Sequence, residues 1–236
     1  MAGGGDELKL LGLWASPFVL RVKLALSFKG LSYEYIEEDL YNKSERLLSH
    51  NPVHKKVPVL IHNGKPVCES QIIVQYVDEA FGATLLPADP YERAMARFWA
   101  AYIDDKLMAS WMKSIRGKTE EEKAEGLRQT FAAVETLEAA FGELSEAGKK
   151  PFFGGDAVGY LDVTLGAVAA WVPATEALYG MRLFDAARSP LLDAWLRRFV
   201  ALDAVRAVLP DVDEMVEYGR MREAEIAAAA AAGRGK

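Results

Sequence analysis

The stretch LWASPFVLRVKLAL at residues 13–26 joins an apolar run to a basic amphipathic run through Ser16 and Pro17. After this pair, apolar residues recur at i, i+4, i+7 and i+8, the spacing of one helix face, at Phe18, Val22, Ala25 and Leu26. The run from Leu8 to Leu13 has the length and apolar character of a buried strand. The stretch therefore predicts a strand that turns into a helix at Ser16.

Ser16 admits three interpretations. A nucleophilic serine needs a glycine-flanked elbow and a base, but no glycine flanks Ser16 and the histidines lie together in a later segment, at His50, His54 and His62. A structural serine caps the helix while Pro17 takes the first turn. In the third interpretation the cap also binds an anion, because a hydroxyl and the helix N-terminal N–H groups both donate to negative charge.

One single strand and a hairpin are predicted after the first helix. Gly30 ends that helix, and apolar residues then alternate with polar ones at Leu31, Tyr33 and Tyr35, as in a strand. Val57–His62 and Lys65–Cys68 are predicted as antiparallel strands, because Asn63-Gly64 between them tolerates the positive φ angles of a two-residue hairpin. A loop is expected between the single strand and the hairpin.

Pro58 lies in a run that is otherwise typical of a central strand, where its missing N–H is costly. A cis Val57–Pro58 bond is one arrangement that accommodates it. The N–H and C=O of Val57 would then be free to pair with an extended peptide ligand. Glu69 and Ser70 open the next helix, with Ser70 as its predicted N-cap and an apolar face at Ile72, Ile73, Tyr76, Val77 and Ala80.

From about residue 90 the pattern is helical almost throughout. A further helix is expected after Gly159, where glycine replaces a side-chain cap three residues before Asp162. The alanine-rich tail at 225–236 has nothing to bury and is expected to fray. Other helix starts are indicated at Asp89-Pro90, Thr119 with Glu122 in a capping box, and Ser189-Pro190.

The composition is typical of a folded protein that is not embedded in a membrane. The 236 residues are 51% hydrophobic, and no apolar stretch approaches the roughly 18 residues that a membrane span needs. The net charge is −6, with basic and acidic residues mixed, which argues against nucleic acid as a partner. Cys68 is the single cysteine and the start, MAGGGDELKLL, has no signal-peptide pattern, so a cytosolic location is expected.

No metal site is predicted. His50 and His54 have the i, i+4 spacing of a helical metal pair, but Asn51-Pro52 between them disfavours the helix. Cys68 lies in a strand-like run, where a cysteine is more often a small buried residue than a reactive thiol.

Three motifs in order resemble the cytosolic glutathione transferases: W-x-S-P-F-x-x-R-V at Trp14–Val22, K-V-P-V-L at Lys56–Leu60, and Glu69-Ser70 at a helix start. The sequence motifs SPF and HKKVPVL and the tryptophan-rich helical half resemble the plant tau class. The resemblance covers nearly the whole chain, apart from the glycine-rich start and the alanine-rich tail. It implies an α/β thioredoxin-like N-terminal domain at residues 1–84, an all-α C-terminal domain at 91–236 that carries a hydrophobic substrate site, and a homodimer.

The same resemblance implies a glutathione S-transferase with reduced glutathione as co-substrate and no tightly bound cofactor. Ser16 would donate a hydrogen bond to the glutathione sulfur. A hydrogen bond to a charged group contributes roughly 1.5–3 kcal/mol and a helix N-terminus about 0.3–1 kcal/mol, which together lower a thiol pKa by roughly 1–3 units. The thiolate would then add to small hydrophobic electrophiles, a reaction of detoxification and stress response.

Glutathione carries two carboxylates and one ammonium, and the resemblance assigns residues to each. Lys43 and Lys56 would bind the glycyl carboxylate, and Val57 would pair with the peptide backbone. Ser70 would bind the γ-glutamyl carboxylate and Glu69 the ammonium. Without the resemblance, the two lysines are solvated loop residues, and Glu69 and Ser70 only start a helix.

The electrophile is expected to bind against the helical half. A face at i, i+3, i+4 and i+7 is formed by Met108, Trp111, Met112 and Ile115. Such a face is ordinarily bundle core, although methionine and tryptophan also line adaptable ligand cavities. The resemblance adds Phe18 and Trp171 as wall residues.

Two other functions are open at this point. A glutathione-dependent thiol transferase or dehydroascorbate reductase on the same fold uses a cysteine where this chain has Ser16, and a glutathione peroxidase is a related variant. A non-catalytic carrier of hydrophobic ligands would need the cavity but no donor at Ser16. Turnover of an aromatic electrophile distinguishes these functions from conjugation.

Overall fold

The computed structural model describes residues 7–233, and a four-stranded mixed sheet forms the centre of the N-terminal part. The strands lie in the order β2-β1-β3-β4, with β1 parallel to β2 and antiparallel to β3, and β3 antiparallel to β4. The predicted hairpin turn is confirmed, because Asn63 and Gly64 have φ angles of 50° and 78°. The strand bounds are β1 (Leu8–Gly12), β2 (Glu34–Glu37), β3 (Val59–His62) and β4 (Lys65–Cys68).

Helices cover both faces of this sheet. On one face α1 (Pro17–Phe28) and α3 (Ser70–Ala80) pack against each other, and Leu10 of β1 joins the main hydrophobic core there. On the other face Leu47 of α2 (Glu45–His50) packs with Leu11, Val59 and Ile61. The three layers form the predicted α/β thioredoxin-like domain.

α2 replaces the loop that the sequence indicates between β2 and β3, so that expectation is wrong. The Ser44 Oγ caps this helix by accepting a hydrogen bond from the N–H of Leu47 at 3.0 Å. Leu47 is fully buried, but a helix of 6 residues is too short for a periodic pattern to reveal. α2 ends at His50, as expected from Asn51-Pro52.

The C-terminal part is all-α, as predicted. A π-helical segment, Ile103–Met108, continues α4 directly into α5. α7 packs against α4 and also against α1 of the first domain. The helices are α4 (Pro90–Tyr102), α5 (Ala109–Arg116), α6 (Glu120–Leu144), α7 (Tyr160–Gly166), α8 (Trp171–Tyr179), α9 (Pro190–Val200), α10 (Asp203–Arg206) and α11 (Val212–Gly233).

The helix starts predicted for the C-terminal part are confirmed, with one difference in capping. The Asp89 carboxylate accepts hydrogen bonds from two first-turn N–H groups of α4, both at 2.9 Å. Thr119 accepts from the N–H of Glu122 at 3.1 Å, but the Glu122 carboxylate accepts from the N–H of Lys118 instead of Thr119. At α6 the Glu122 carboxylate therefore binds the N–H one residue before the one that a capping box uses. α9 begins directly after Ser189, as expected.

Two expectations about the helical half are wrong. The 20-residue segment Tyr160–Tyr179 has a mean hydropathy of 1.2, which by length and composition is enough for a membrane span, but 72% of its apolar window is buried inside the protein. The tail does not fray at residue 225, because α11 continues to Gly233. Residues 234–236 of the tail lie outside the described residues.

A buried carboxylate, Asp78, organises the segment between the two domains. It accepts hydrogen bonds from Lys29 Nζ at 2.5 Å and from the N–H groups of Thr84, Leu85 and Leu86 at 2.9, 2.8 and 3.0 Å. Burial by itself raises the pKa of Asp78, but the hydrogen bonds from Lys29 and the backbone outweigh burial and hold the pKa below its usual value. The ionised side chain therefore stabilises the folded chain.

We expect Asp78→Asn to lower the free energy of unfolding at neutral pH by about 2 kcal/mol, because Lys29 loses a buried charge partner. The folded-state pKa of Asp78 is lower than the ordinary aspartate value of 3.8. The contribution is therefore present above that value and is lost as the pH falls through the folded-state pKa. Denaturant unfolding of the native protein and of Asp78→Asn across the acidic pH range measures this contribution. A difference in the free energy of unfolding that stays constant with pH would contradict the role of the ionised Asp78 side chain.

Candidate functional site

Ser16 lies at the N-terminal end of α1 and caps it, as predicted. Its backbone is extended, with φ −78° and ψ 124°, and its Oγ accepts a hydrogen bond from the N–H of Val19 at 3.4 Å. Pro17 takes the first helical turn. The Oγ keeps its own hydrogen while it accepts, so Ser16 can still donate to a ligand. With the dipole of α1 behind it, this donor favours a negatively charged partner.

A cavity of about 120 Å³ opens beside the start of α1. Five of the predicted site residues meet here although they come from distant parts of the chain. Lys43 does not line the cavity and lies exposed between β2 and α2. The lining residues are Phe18, Lys56, Val57, Pro58, Glu69 and Ser70.

The segment before β3 lines this cavity and presents backbone groups to it. The Val57–Pro58 bond is cis, one of the arrangements considered from the sequence, and β3 begins only at Val59. Asn51 holds the segment, because its Nδ2 donates to the C=O of Lys56 at 2.9 Å. Within residues 7–233 neither the N–H nor the C=O of Val57 has a hydrogen-bond partner. Both groups are available to an extended ligand.

The junction between β4 and α3 has an uncommon backbone conformation at Glu69, with φ 71° and ψ 117°. Glu69 is the N-cap residue of α3 and Ser70 the first helical residue, so the predicted cap at Ser70 is wrong by one position. The Glu69 carboxylate lies in the cavity wall, with Oε1 3.8 Å from Nε2 of His54. Strained backbone at a ligand-facing residue is typical of binding sites.

Ser70 is 6% exposed and is held from behind by a buried cation. Its Oγ accepts a hydrogen bond from Nη1 of Arg21 at 2.9 Å. Arg21 also donates to both carboxylate oxygens of Asp104, at 3.1 and 2.7 Å. Because Arg21 supplies the hydrogen, the Ser70 hydroxyl keeps its own hydrogen for a ligand, next to the N–H groups at the start of α3.

Asp104 belongs to the π-helical segment and connects the two domains behind the cavity. Its Oδ2 also accepts from Nε2 of Gln71 at 2.6 Å, and the same nitrogen donates to the C=O of Ala100 at 2.9 Å. The pairing of Arg21 with Asp104 escapes prediction from the sequence, because 83 positions separate them and the motif that contains Arg21 does not indicate its partner. No local signal indicates that they meet.

A second cleft, which is closed in this structure and leaves no room for a water molecule, adjoins Ser16 on the side of the helical domain. Nε1 of Trp171 donates to the C=O of Ala15 at 2.8 Å, which holds the indole beside Ser16. Tyr218 packs edge-on against Trp14 and Trp171, with ring centroids 5.4 and 6.2 Å apart. The cleft is mostly apolar and is lined by Trp14, Ala15, Ser16, Pro17, Leu20, Ala170, Trp171, Pro210 and Met215.

The other predicted acceptor residues line neither the cavity nor the cleft. Met108 and Trp111 are both 4% exposed inside the helical core, and Met112 is 37% exposed. Instead α11 supplies Met215 and the adjoining Tyr218. The sequence pattern of α11 offers no signal for this role, because the apolar face of a helix does not reveal which neighbour it contacts.

The thiol of Cys68 is partly buried and donates to the C=O of His50 at 3.6 Å. Burial raises the pKa of its thiol, and the neighbouring Glu69 adds to the rise, so the reactive thiolate is disfavoured. Within the described chain, residues 7–233, no group of three or more His, Cys, Asp or Glu side chains could hold a metal ion.

Comparisons with known proteins agree with this geometry. A model of the glutathione S-transferase N-terminal domain matches residues 6–79, and a model of the glutathione S-transferase C-terminal domain matches residues 120–198. A probable glutathione S-transferase from Oryza sativa subsp. japonica is 55% identical over 226 residues, which cover 92% of this chain and 94% of the relative.

Solved structures extend the comparison to the fold. The tau class glutathione S-transferase from mango, Mangifera indica, has a TM-score of 0.85 at 43% identity, covering 91% of this chain and 98% of its own. A rice glutathione S-transferase in complex with glutathione has a TM-score of 0.83 at 39% identity, covering 94% and 99% of the two chains. With both domains matched and identities of this size over nearly the whole length, the chain belongs to the tau class of the glutathione S-transferase family.

Proposed function

We propose that this protein binds reduced glutathione in the cavity beside α1, activates its thiol through Ser16 and conjugates it to hydrophobic electrophiles. The observation that supports this most is the meeting of complementary groups from the starts of two helices, α1 and α3. Glu69 and Ser70 lie in the cavity wall with Phe18, and Ser16 caps the helix to which Phe18 belongs. Detoxification in the cytosol is the role that suits this chemistry.

Each end of glutathione has a partner in the proposed complex. The Glu69 carboxylate binds the γ-glutamyl ammonium, and the Ser70 hydroxyl and the α3 N-terminus bind the γ-glutamyl carboxylate. The N–H and C=O of Val57 pair with the cysteinyl backbone. Lys56, at the cavity, and Lys43, on the segment before α2, bind the glycyl carboxylate. No tightly bound cofactor takes part in this scheme.

The electrophile binds at the cleft on the other side of Ser16, which must widen to admit it because the cleft is closed in this structure. Its apolar lining and the ring edges of Trp14, Trp171 and Tyr218 suit planar aromatic compounds. Phe18, which is 38% exposed, extends this apolar surface toward the glutathione cavity. Residues 1–84 and 91–236 are the domains that we assign to the two substrates. A wall role for Met108, Trp111 and Met112 stays a prediction.

Incubation of the purified protein with glutathione and a chlorinated nitrobenzene tests the function, with product measured by absorbance. We expect product formation that depends on glutathione and saturates with both substrates. Binding of the aromatic compound without product would favour the carrier function. Disulfide reduction without conjugation would favour a thiol transferase, although that reaction ordinarily uses a cysteine at the position of Ser16.

Glu69→Gln should raise the KM for glutathione about tenfold, because the amide still accepts a hydrogen bond but no longer neutralises the ammonium. A glutathione analogue without the α-amino group should bind weakly to the native protein and lose little more in the variant. Glu79→Gln, an exposed change on the same helix, serves as the control and should leave KM unchanged. Additive losses in this double cycle would show that Glu69 does not contact the ammonium.

We further propose a homodimer that uses α3 and α4. Ile72 and Phe98 are 53% and 54% exposed, which is high for large apolar side chains. Arg93 and Arg97 lie on α4 and add charge pairs to the same interface.

Sedimentation at micromolar concentration should give a species of about twice the 26.0 kDa chain mass. Phe98→Asp should shift it toward the monomer, whereas a monomer in the native protein would contradict the proposal.

A further inference from the structure

The N-terminal turns of α11 pack against the cleft beside Ser16 in which we place the electrophile, here called the acceptor cleft. Met215 lines that cleft, and Tyr218 packs against both of its tryptophans. Gly219 allows α11 to approach α8 closely, because a Cβ at this position would lie 2.5 Å from Cδ1 of Leu178. The first turns of α11 are therefore packed closely against the acceptor cleft.

The same face of α11 continues to Tyr41. Arg222 and Glu225 follow Tyr218 at i+4 and i+7, which places all three on one side of the helix. The Tyr41 hydroxyl donates to Oε2 of Glu225 at 2.7 Å, and the Arg222 guanidinium lies 5.0 Å from the Tyr41 ring centroid. Nη1 of Arg222 pairs with the same Glu225 oxygen at 2.6 Å. α11 thus holds Tyr41 by both its ring and its hydroxyl.

Tyr41 lies in the middle of segment 39–43, whose ends are anchored elsewhere. Glu38 precedes the segment, is 3% exposed and accepts a hydrogen bond from Oγ of Ser44, which follows it, at 2.8 Å. Between these anchors, the bond from Tyr41 to Glu225 is the hydrogen bond that joins segment 39–43 to another element of the described chain. Tyr41 itself is 73% exposed, so α11 contacts the segment at its surface and bears on the position of its middle residues.

We propose that Tyr41 is a positioning residue that places Lys43 at the glycyl carboxylate of glutathione through its contact with α11. This inference rests on the proposed function, in which Lys43 binds that carboxylate. Lys43 is exposed and lies two positions from Tyr41, so the location of its ammonium follows that of the segment. Because α11 also forms a wall of the acceptor cleft, one helix connects the binding of both substrates.

Tyr41→Phe tests the contact, since it removes the hydroxyl and keeps the ring. We expect the KM for glutathione to rise about threefold to tenfold with kcat unchanged, the range that one ordinary hydrogen bond supports. Glu225→Ala should have a similar effect. Glu176→Ala is the matched control, because Glu176 pairs with Arg182 and its side chain is 41% exposed like that of Glu225. This control should leave the KM for glutathione unchanged.

The dipeptide γ-glutamylcysteine separates positioning of Lys43 from a general effect on the loop, because it lacks the glycyl carboxylate. Its KM should be the same in the native protein and in Tyr41→Phe. Tyr41→Phe should also add nothing to Lys43→Ala when the two are combined. Equal losses with the dipeptide, or full additivity with Lys43→Ala, would overturn the proposal.

The result for Lys43→Ala alone also separates this inference from the proposed function. An unchanged KM for glutathione in Lys43→Ala overturns the role of Tyr41 together with that of Lys43, while conjugation by the native protein continues. Failure of the proposed function would instead appear as absence of conjugation by the native protein.

Discussion

Ser16→Ala should lower kcat for conjugation by about 100-fold at neutral pH while the KM for glutathione changes little. The hydroxyl contributes a hydrogen bond that is strong only when the sulfur is charged, and loss of such a donor costs about 1.5–3 kcal/mol. The contacts that we propose for the tripeptide lie at other residues, at Glu69, Ser70 and Val57. The measurement is steady-state conjugation with both substrates varied.

The pH profile identifies the cause of that loss. In the native protein the bound thiol should ionise below the ordinary thiol pKa of about 8.5, and in Ser16→Ala its ionisation should move up toward that value. Ser16→Thr keeps a hydroxyl and is the control that should retain activity. Ser16→Cys should shift the reaction toward thiol-disulfide exchange. Near-native turnover by Ser16→Ala would remove the donor role and leave Ser16 as a helix cap.

Asp162→Ala should lower the free energy of unfolding by about 4–5 kcal/mol, the largest stability effect that we expect in this chain. The carboxylate is fully buried and accepts four hydrogen bonds, all at 2.7–2.9 Å, from the N–H groups of Phe153, Gly154 and Gly159 and from Nε1 of Trp195. Alanine would leave these donors buried without a partner.

Denaturant unfolding at about pH 7.5 is the appropriate measurement. Burial raises the pKa of Asp162 to about 6, although the hydrogen bonds act in the opposite direction, so the side chain is ionised and accepts all four bonds at that pH. Asp156→Ala is the matched control, because Asp156 forms an ion pair with Lys150 and its side chain is 80% exposed. The control should cost less than about 1 kcal/mol. Similar losses for the two variants would show that the buried network does not stabilise the fold.

Turns and helix caps could be predicted from the sequence because the contacts that form them join residues only a few positions apart. Asn63-Gly64 predicts its hairpin through the φ angles that both residues tolerate, and Ser16 predicts its cap through a hydrogen bond three residues away. Such contacts need no information from the rest of the chain. The same locality explains the error at Ser70, where the backbone of Glu69 takes a positive φ and becomes the N-cap itself.

The sequence by itself therefore determined the element order of the N-terminal part apart from α2, the two-domain architecture, the family and the starts of α1, α4, α6, α7 and α9. Only the tertiary structure decided what lies behind and beside the site. Arg21, Asp104 and Ser70 meet across the domain boundary, and α11 supplies one wall of the acceptor cleft. These contacts join residues far apart in the chain, and their partners are selected by how helices pack and which polar groups that packing buries. A local pattern records which face of a helix is apolar, but not which neighbour will cover it.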